Sequence, residues 1–154
     1  MNDLISSIAY MFIGSFIVQY FFMSAIMSNE YTNITNSIGK CYISVIMGLF
    51  MVLIEIAMFY MHSSTMKMNS IIYLPVVLLL LLFIYLYRTQ TFIYDGEYLR
   101  EMIEHHSMAI LTSKEIIKKS GNDNVRKLAN NIIIAQEKEI KDMKNLELEL
   151  EQQQ

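Results

Sequence analysis

Residues 4–27, 41–61 and 71–87 are three runs long and apolar enough to cross a bilayer, and no other feature limits the fold of this chain so strongly. A hydrocarbon layer about 30 Å thick takes roughly 20 mainly apolar residues as a helix. The first run holds Gln19 as its one strongly polar member, and the second is broken only by Glu55. The third, IIYLPVVLLLLLFIYLY, carries Pro75 in its first turns, where a missing N–H matters little. No basic stretch precedes the first run, and its apolar length exceeds that of a leader peptide, so it is expected to stay as a span. Composition agrees: 54% of the 154 residues are hydrophobic, above the usual 45–50% or so of soluble domains. Up to Gln90 the charged residues are Asp3, Glu30, Glu55, Lys40, Lys67 and Arg88, which cancel; the rest of the chain carries the net charge of -3.

Polar connectors separate the runs, SNEYTNITNSIGK over residues 28–40 and a shorter link over 62–70. Three crossings put the first connector and the C-terminal region on one side, and the N-terminus and second link on the other. Lys67 stands against Lys40 and Arg88, so basic residues leave the orientation level. The expectation is an all-α, multi-pass integral membrane protein in the lipid bilayer. Residues 1–90 form its membrane domain and residues 91–154 a separate helical unit.

Glu55 sits in the row Met47, Met51, Glu55, Met58, His62, whose steps of four, four, three and four place all five on one helical face. A carboxylate at mid-membrane costs about 2.5–3.5 kcal/mol on insertion scales, so it faces protein or a pathway. Two readings follow. In one, the Glu55 carboxyl hydrogen-bonds a neighbouring helix and the methionines are packing. In the other, thioether, carboxylate and imidazole form an intramembrane metal site. Cys41 is the one cysteine, so no internal disulfide and no CxxC pair exist. Of the 13 methionines, many need no more explanation than that Met fills apolar space flexibly.

From Tyr94 the pattern turns amphipathic. Leu99, Ile103, His106, Ile110, Ser113 and Ile117 repeat in steps of four and three, and so do Val125, Ala129, Ile132, Gln136, Glu139, Met143, Leu146 and Leu150. Such stripes are the mark of helices packed at a shallow angle. Between them, Gly121 suits a left-handed C′ position and Asp123 an N-cap, which predicts a tight antiparallel hairpin. Facing positions then pair Ile117 with Val125, Ser113 with Ala129, Ile110 with Ile132, His106 with Gln136, Ile103 with Glu139 and Leu99 with Met143. The hairpin would gather His106, Gln136, Glu139, Met102 and Met143 in an apolar seam, where buried polar groups need each other, water or an ion. His105 points about 100° away around the helix, so both rings are not expected on one ion. The plainer reading of His106 is a core histidine bonded to Gln136 or Glu139.

The segment MIEHHSMAILTSKE (102–115), with VRKLANNIIIAQEKEIKDM (125–143), closely resembles the family called domain of unknown function 305. These are ferritin-like two-helix domains that include CopM-like copper-binding proteins. The resemblance covers about residues 94–150 and falls on Met102, His105, His106, Met108, Arg126, Ala135, Gln136, Glu139 and Met143. It implies a ferritin-like half bundle and a soft-metal site, copper or silver, drawn from Met102, His105, His106, Met108, Gln136, Glu139 and Met143. Thioether sulfur suits Cu(I) and Ag(I), and imidazole suits copper in either state. It also implies an extracytoplasmic hairpin. One departure is Glu104, where the family usually has proline; it removes an expected kink and adds a charge.

A ferritin-like di-iron oxidase needs Glu-x-x-His pairs, but the residues three before His105 and His106 are Met102 and Ile103. No nucleophile elbow, triad or paired-acid spacing suggests an enzyme, and an acidic hairpin with scattered Lys suits no nucleic acid. The expected function is therefore a membrane-anchored copper or silver binder, not an enzyme. A two-helix unit buries little alone, so homo-oligomerisation through the hairpin is expected. The rival is a structural or scaffolding membrane protein with no metal role.

Overall fold

The computed structural model of the protein describes residues 2–62 and 70–153. The expected second link, with Lys67, lies outside the described residues apart from its end positions. The chain is all-helical, with long apolar helices followed by a helical C-terminal region. The elements are α1 (Asn2–Ile17), a π turn (Val18–Phe22), α2 (Met23–Met27), a 3-10 turn (Tyr31–Asn33), α3 (Ile38–His62), α4 (Ser70–Arg88), α5 (Asp95–Lys119) and α6 (Asp123–Gln152). The three apolar runs all become helices long and apolar enough to cross a membrane. The second and third extend slightly past the expected ends, and α4 continues through Pro75.

The first run is not one uniform helix. Its middle widens into the π turn that contains Gln19, a local departure of the kind that marks a bend or a functional position. Contacts divide the chain just after this turn. One compact unit comprises residues 1–22 and 39–92, and the other residues 23–38 and 93–154. The compact units therefore do not run in chain order, because the first connector and α2 pack with the C-terminal hairpin.

In the first unit α3 presents Tyr42, Leu49, Val52 and Ile56 as a buried stripe. Their spacing of seven, three and four is one helical face. Gly48 interrupts that face with no side chain, and the Phe12 ring lies over it; a Cβ there would stand 2.8 Å from the ring. Small residues at such a point let two apolar helices approach closely. The Tyr42 hydroxyl donates to the Thr91 carbonyl (2.9 Å), and its ring meets Phe83 edge-on. Most of the apolar surface is left uncovered by protein: the candidate spans are 6%, 33% and 6% buried. Apolar surface exposed on this scale marks an interaction face, and helices of this length and composition match the thickness of a bilayer.

The second unit is built on α5 and α6. Ile103, Ile110 and Ile140 form its core, with Met143 packed against them. The turn differs from expectation. Asn122, not Asp123, caps α6, its side-chain oxygen accepting from the N–H groups of Asn124 and Val125. α5 closes on Ser120 in extended conformation, and no glycine among the described residues has positive φ. Gly121 thus does not serve as a left-handed cap, since the Asn122 side chain sets the geometry of the turn.

Candidate metal-binding site

The sequence of α5 writes two stripes on one helix. Leu99, Ile103, Ile110 and Ser113 are buried on the side of α6. Glu97, Arg100, Glu104 and Ser107, spaced three, four and three, form a polar stripe beside it. The first connector lies along this polar stripe. Ser107 is 0% exposed, and its hydroxyl meets the Ser28 hydroxyl (2.8 Å), the Asn29 N–H (3.0 Å) and the Asn33 side-chain amide (3.3 Å). Glu104, 7% exposed, accepts from the Ser24 hydroxyl and from the Thr35 N–H at 3.0 Å. Glu97 accepts from the Ile38 N–H at 2.7 Å, and the Thr35 hydroxyl donates to the Arg100 carbonyl at 2.6 Å. α5 runs unbroken through Glu104, so the residue in the family's proline position is a buried acceptor that holds the connector. Sequence reasoning missed this face. The signal was present in its helical spacing and in the hydroxyl- and amide-rich connector that needed partners.

His106 stands on the seam side, with 13% of its side chain exposed. Its Nδ1 lies 2.7 Å from the Met102 carbonyl oxygen. A carbonyl can only accept, so Nδ1 carries a proton and donates, which leaves Nε2 as the nitrogen turned toward α6. Nε2 lies 2.9 Å from Glu139 Oε2. That separation is the length of a direct hydrogen bond, too short to hold a metal ion on the line between the two atoms. A backbone carbonyl on the far nitrogen is also how metal-binding imidazoles are oriented.

The seam register differs from the expected one. His106 meets Glu139 rather than Gln136, and Arg100 reaches Glu147 (2.8 Å). Val125, Glu139 and Leu146 are exposed, while Ile140 is buried and Met143 and Glu147 are half-buried. Along α6 the buried line runs Ala129, Gln136, Ile140, Met143, Glu147. A strict heptad drifts by about 20° per repeat on a straight helix. Taking Ile140 instead of Glu139 into the core adds about 1.5–3 kcal/mol of apolar burial.

The other candidate ligands are spread around this point. Met102, Met108 and Gln136 are half-buried, and Met143 faces the core beside Ile103. His105 is exposed, and its ring meets that of His106 edge-on, the centroids 6.1 Å apart and the planes inclined 70°. Among the described residues no three His, Cys, Asp or Glu side chains converge as a metal-ligand group.

The intramembrane row is not gathered at a point. Glu55 accepts from the Ser7 hydroxyl of α1, Met47 and Met58 are exposed, Met51 is half-buried, and His62 turns Nδ1 back to the Met58 carbonyl at 2.8 Å. Farther along the hairpin, Arg100 is held charged chiefly by its hydrogen bond to Glu147, which raises its pKa against the opposing effect of burial. The Lys118 hydrogen bond lowers the pKa of Glu115.

The family described as Domain of unknown function (DUF305) matches residues 86–153. Over 141 residues the chain is 32% identical to the "Uncharacterized protein L153" of Acanthamoeba polyphaga mimivirus, covering 92% of this chain and 91% of the relative. No solved structure matches the chain.

Proposed function

This chain belongs to the DUF305 family, and on that premise we propose that it is a membrane-anchored binder of a soft metal ion, copper(I) or silver(I), acting in metal tolerance or handling. The observation that carries the reading is the fixed tautomer of His106. Its Nδ1–H is committed to the Met102 carbonyl, so Nε2, 2.9 Å from Glu139 Oε2, is the nitrogen that a metal ion would take, with the Glu139 carboxylate moving aside or joining it as a second ligand. Sulfur from Met102 and Met143 on the same seam would complete a soft donor set, with Gln136 as a further neighbour, and thioether does not lose binding to protonation. His105 and Met108, one on an exposed face and one half-buried, would serve as an outer entry point. A CopM-like character for the hairpin is part of this proposal.

The reading extends to assembly. Leu128 and Leu146 are exposed on α6, at positions seven, four and seven steps apart through Ala135 and Glu139, hence on one face. A second copy packed there would bury that face and bring two His106–Glu139 pairs near one another.

The scaffolding reading has its own support, because an imidazolium bonded to both Met102 and Glu139 would satisfy His106 without any metal. Copper(I) titration of the full chain in detergent separates the two. The metal reading predicts submicromolar binding by the wild type, lost in His106→Ala and weakened in Met102→Leu. Equal weak binding by all three proteins would leave the scaffold reading in its place.

A further inference from the structure

Beside the connector, on the side of α6 away from Glu139, lies an open cleft of about 340 Å³ that the metal site does not use. Its size falls at the lower end of small-ligand sites, roughly 300–1,000 Å³. Ile110 and Ile140 line it, with Lys141, Lys144, Glu30 and Glu137 around them. Lys141 and Lys144 are three apart on α6 and so present two ammonium groups on one face. Lys144 gives one donor to the Asn33 side-chain oxygen (2.6 Å), which leaves two of its three donors. Lys141 has no hydrogen bond or ion pair with any described residue. Asn145 and Asn29 add side-chain amides to the same wall.

The charges are mixed in a way that selects a ligand class. Two ammonium groups with amide donors suit a phosphate group. Two carboxylates in the same small cleft would repel a plain anion. They suit a second, cationic part of the same molecule, and Glu137 retains acceptor capacity beyond its 3.5 Å pair with Lys114. The position adds a further constraint: Glu30 follows Met27, the end of the first candidate span, by three residues. On the membrane reading of residues 4–27, Glu30 falls by its place in the chain in the polar layer that flanks the hydrocarbon.

We propose that this cleft binds a phosphate ester bearing a primary ammonium group, as in the headgroup of phosphatidylethanolamine. Phosphate sits at Lys141 and Lys144, and ammonium at Glu30 and Glu137. The inference rests on the membrane reading of residues 4–27 and is independent of the metal. Release of the full chain from membranes by alkaline carbonate would expose a failure of that reading separately.

The test is native mass spectrometry of the full chain in detergent with added phosphatidylethanolamine, phosphatidylcholine, phosphatidylglycerol or free phosphoethanolamine. The expected result is saturable retention of phosphatidylethanolamine, weakened about tenfold or more in Lys141→Ala and in Glu30→Gln. Phosphatidylcholine, whose quaternary ammonium has no N–H to donate, should bind more weakly. Free phosphoethanolamine binding with the same dependence on Lys141, in the absence of lipid binding, would support the site and assign it to a soluble ligand. Equal retention by wild type and Lys141→Ala, no retention at all, or equal preference for phosphatidylglycerol would overturn the proposal. Lys141→Ala breaks no side-chain hydrogen bond or ion pair among the described residues, so its thermal unfolding should match the wild type and a binding loss is not a folding loss.

Discussion

Ser107 and Glu104 show how much one residue can carry in a unit this small. Each is buried and polar, and each takes hydrogen bonds from the connector, Glu104 from Ser24 of α2 as well. A buried donor stripped of its acceptor costs about 1–3 kcal/mol. Ser107→Ala removes the acceptor of the Asn29 N–H, and Glu104→Ala that of the Thr35 N–H. Amide hydrogen exchange of the full chain should therefore accelerate at Asn29 in the first variant and at Thr35 in the second, by about tenfold for each 1.4 kcal/mol. The amides of Ile103 and Ile110 should change little. Unaltered exchange in the connector would mean that these bonds do not hold it. His106 is the counterpart on the seam: its neighbours fix which nitrogen faces Met102 and which faces Glu139, and a sequence pattern cannot state that.

At the scale of elements, the sequence was most legible where apolar periodicity decides the outcome. The three long apolar runs, the two C-terminal helices and the break at Ser120–Asp123 all follow from pattern alone. The register of α5 on α6 did not, because two neighbouring lines on α6 share Gln136 and Met143 and differ by Glu139 against Ile140. Burial of Ile140 decides between them, and a strict heptad hides it. The turn is a second case. Gly121 looked like a left-handed cap, yet its φ is not positive and open space surrounds its Cβ position. Gly121→Ala should then raise stability by about 0.4–1 kcal/mol by restricting the unfolded chain. Asn122→Ala, which removes two capping bonds, should lower it by about 1 kcal/mol. Thermal melts of both variants in detergent check the pair. A destabilised Gly121→Ala would show that the turn needs glycine after all.

For the whole molecule, the connector and the hairpin share one compact unit although two long helices lie between them in the chain. Two crossings return a chain to the side it left, so a docked connector is compatible with α3 and α4 both spanning. The polar stripe on α5 and the connector that needed partners were each legible in the sequence, but their pairing was not, since it depends on hydrogen bonds between residues about 60 to 80 positions apart. The exposed face of Leu128 and Leu146 leads to an expected dimer. Mass determination in detergent should give twice the monomer, and Leu128→Glu should return it to the monomer; a monomeric wild type would remove the dimer from the account. The proposal as a whole turns on what His106 Nε2 holds. X-ray absorption at the copper edge of the copper(I)-loaded full chain is the most direct measurement. The first shell should contain both imidazole nitrogen and thioether sulfur, the nitrogen contribution vanishing in His106→Ala. A shell without imidazole, or one that His106→Ala leaves unchanged, would contradict it.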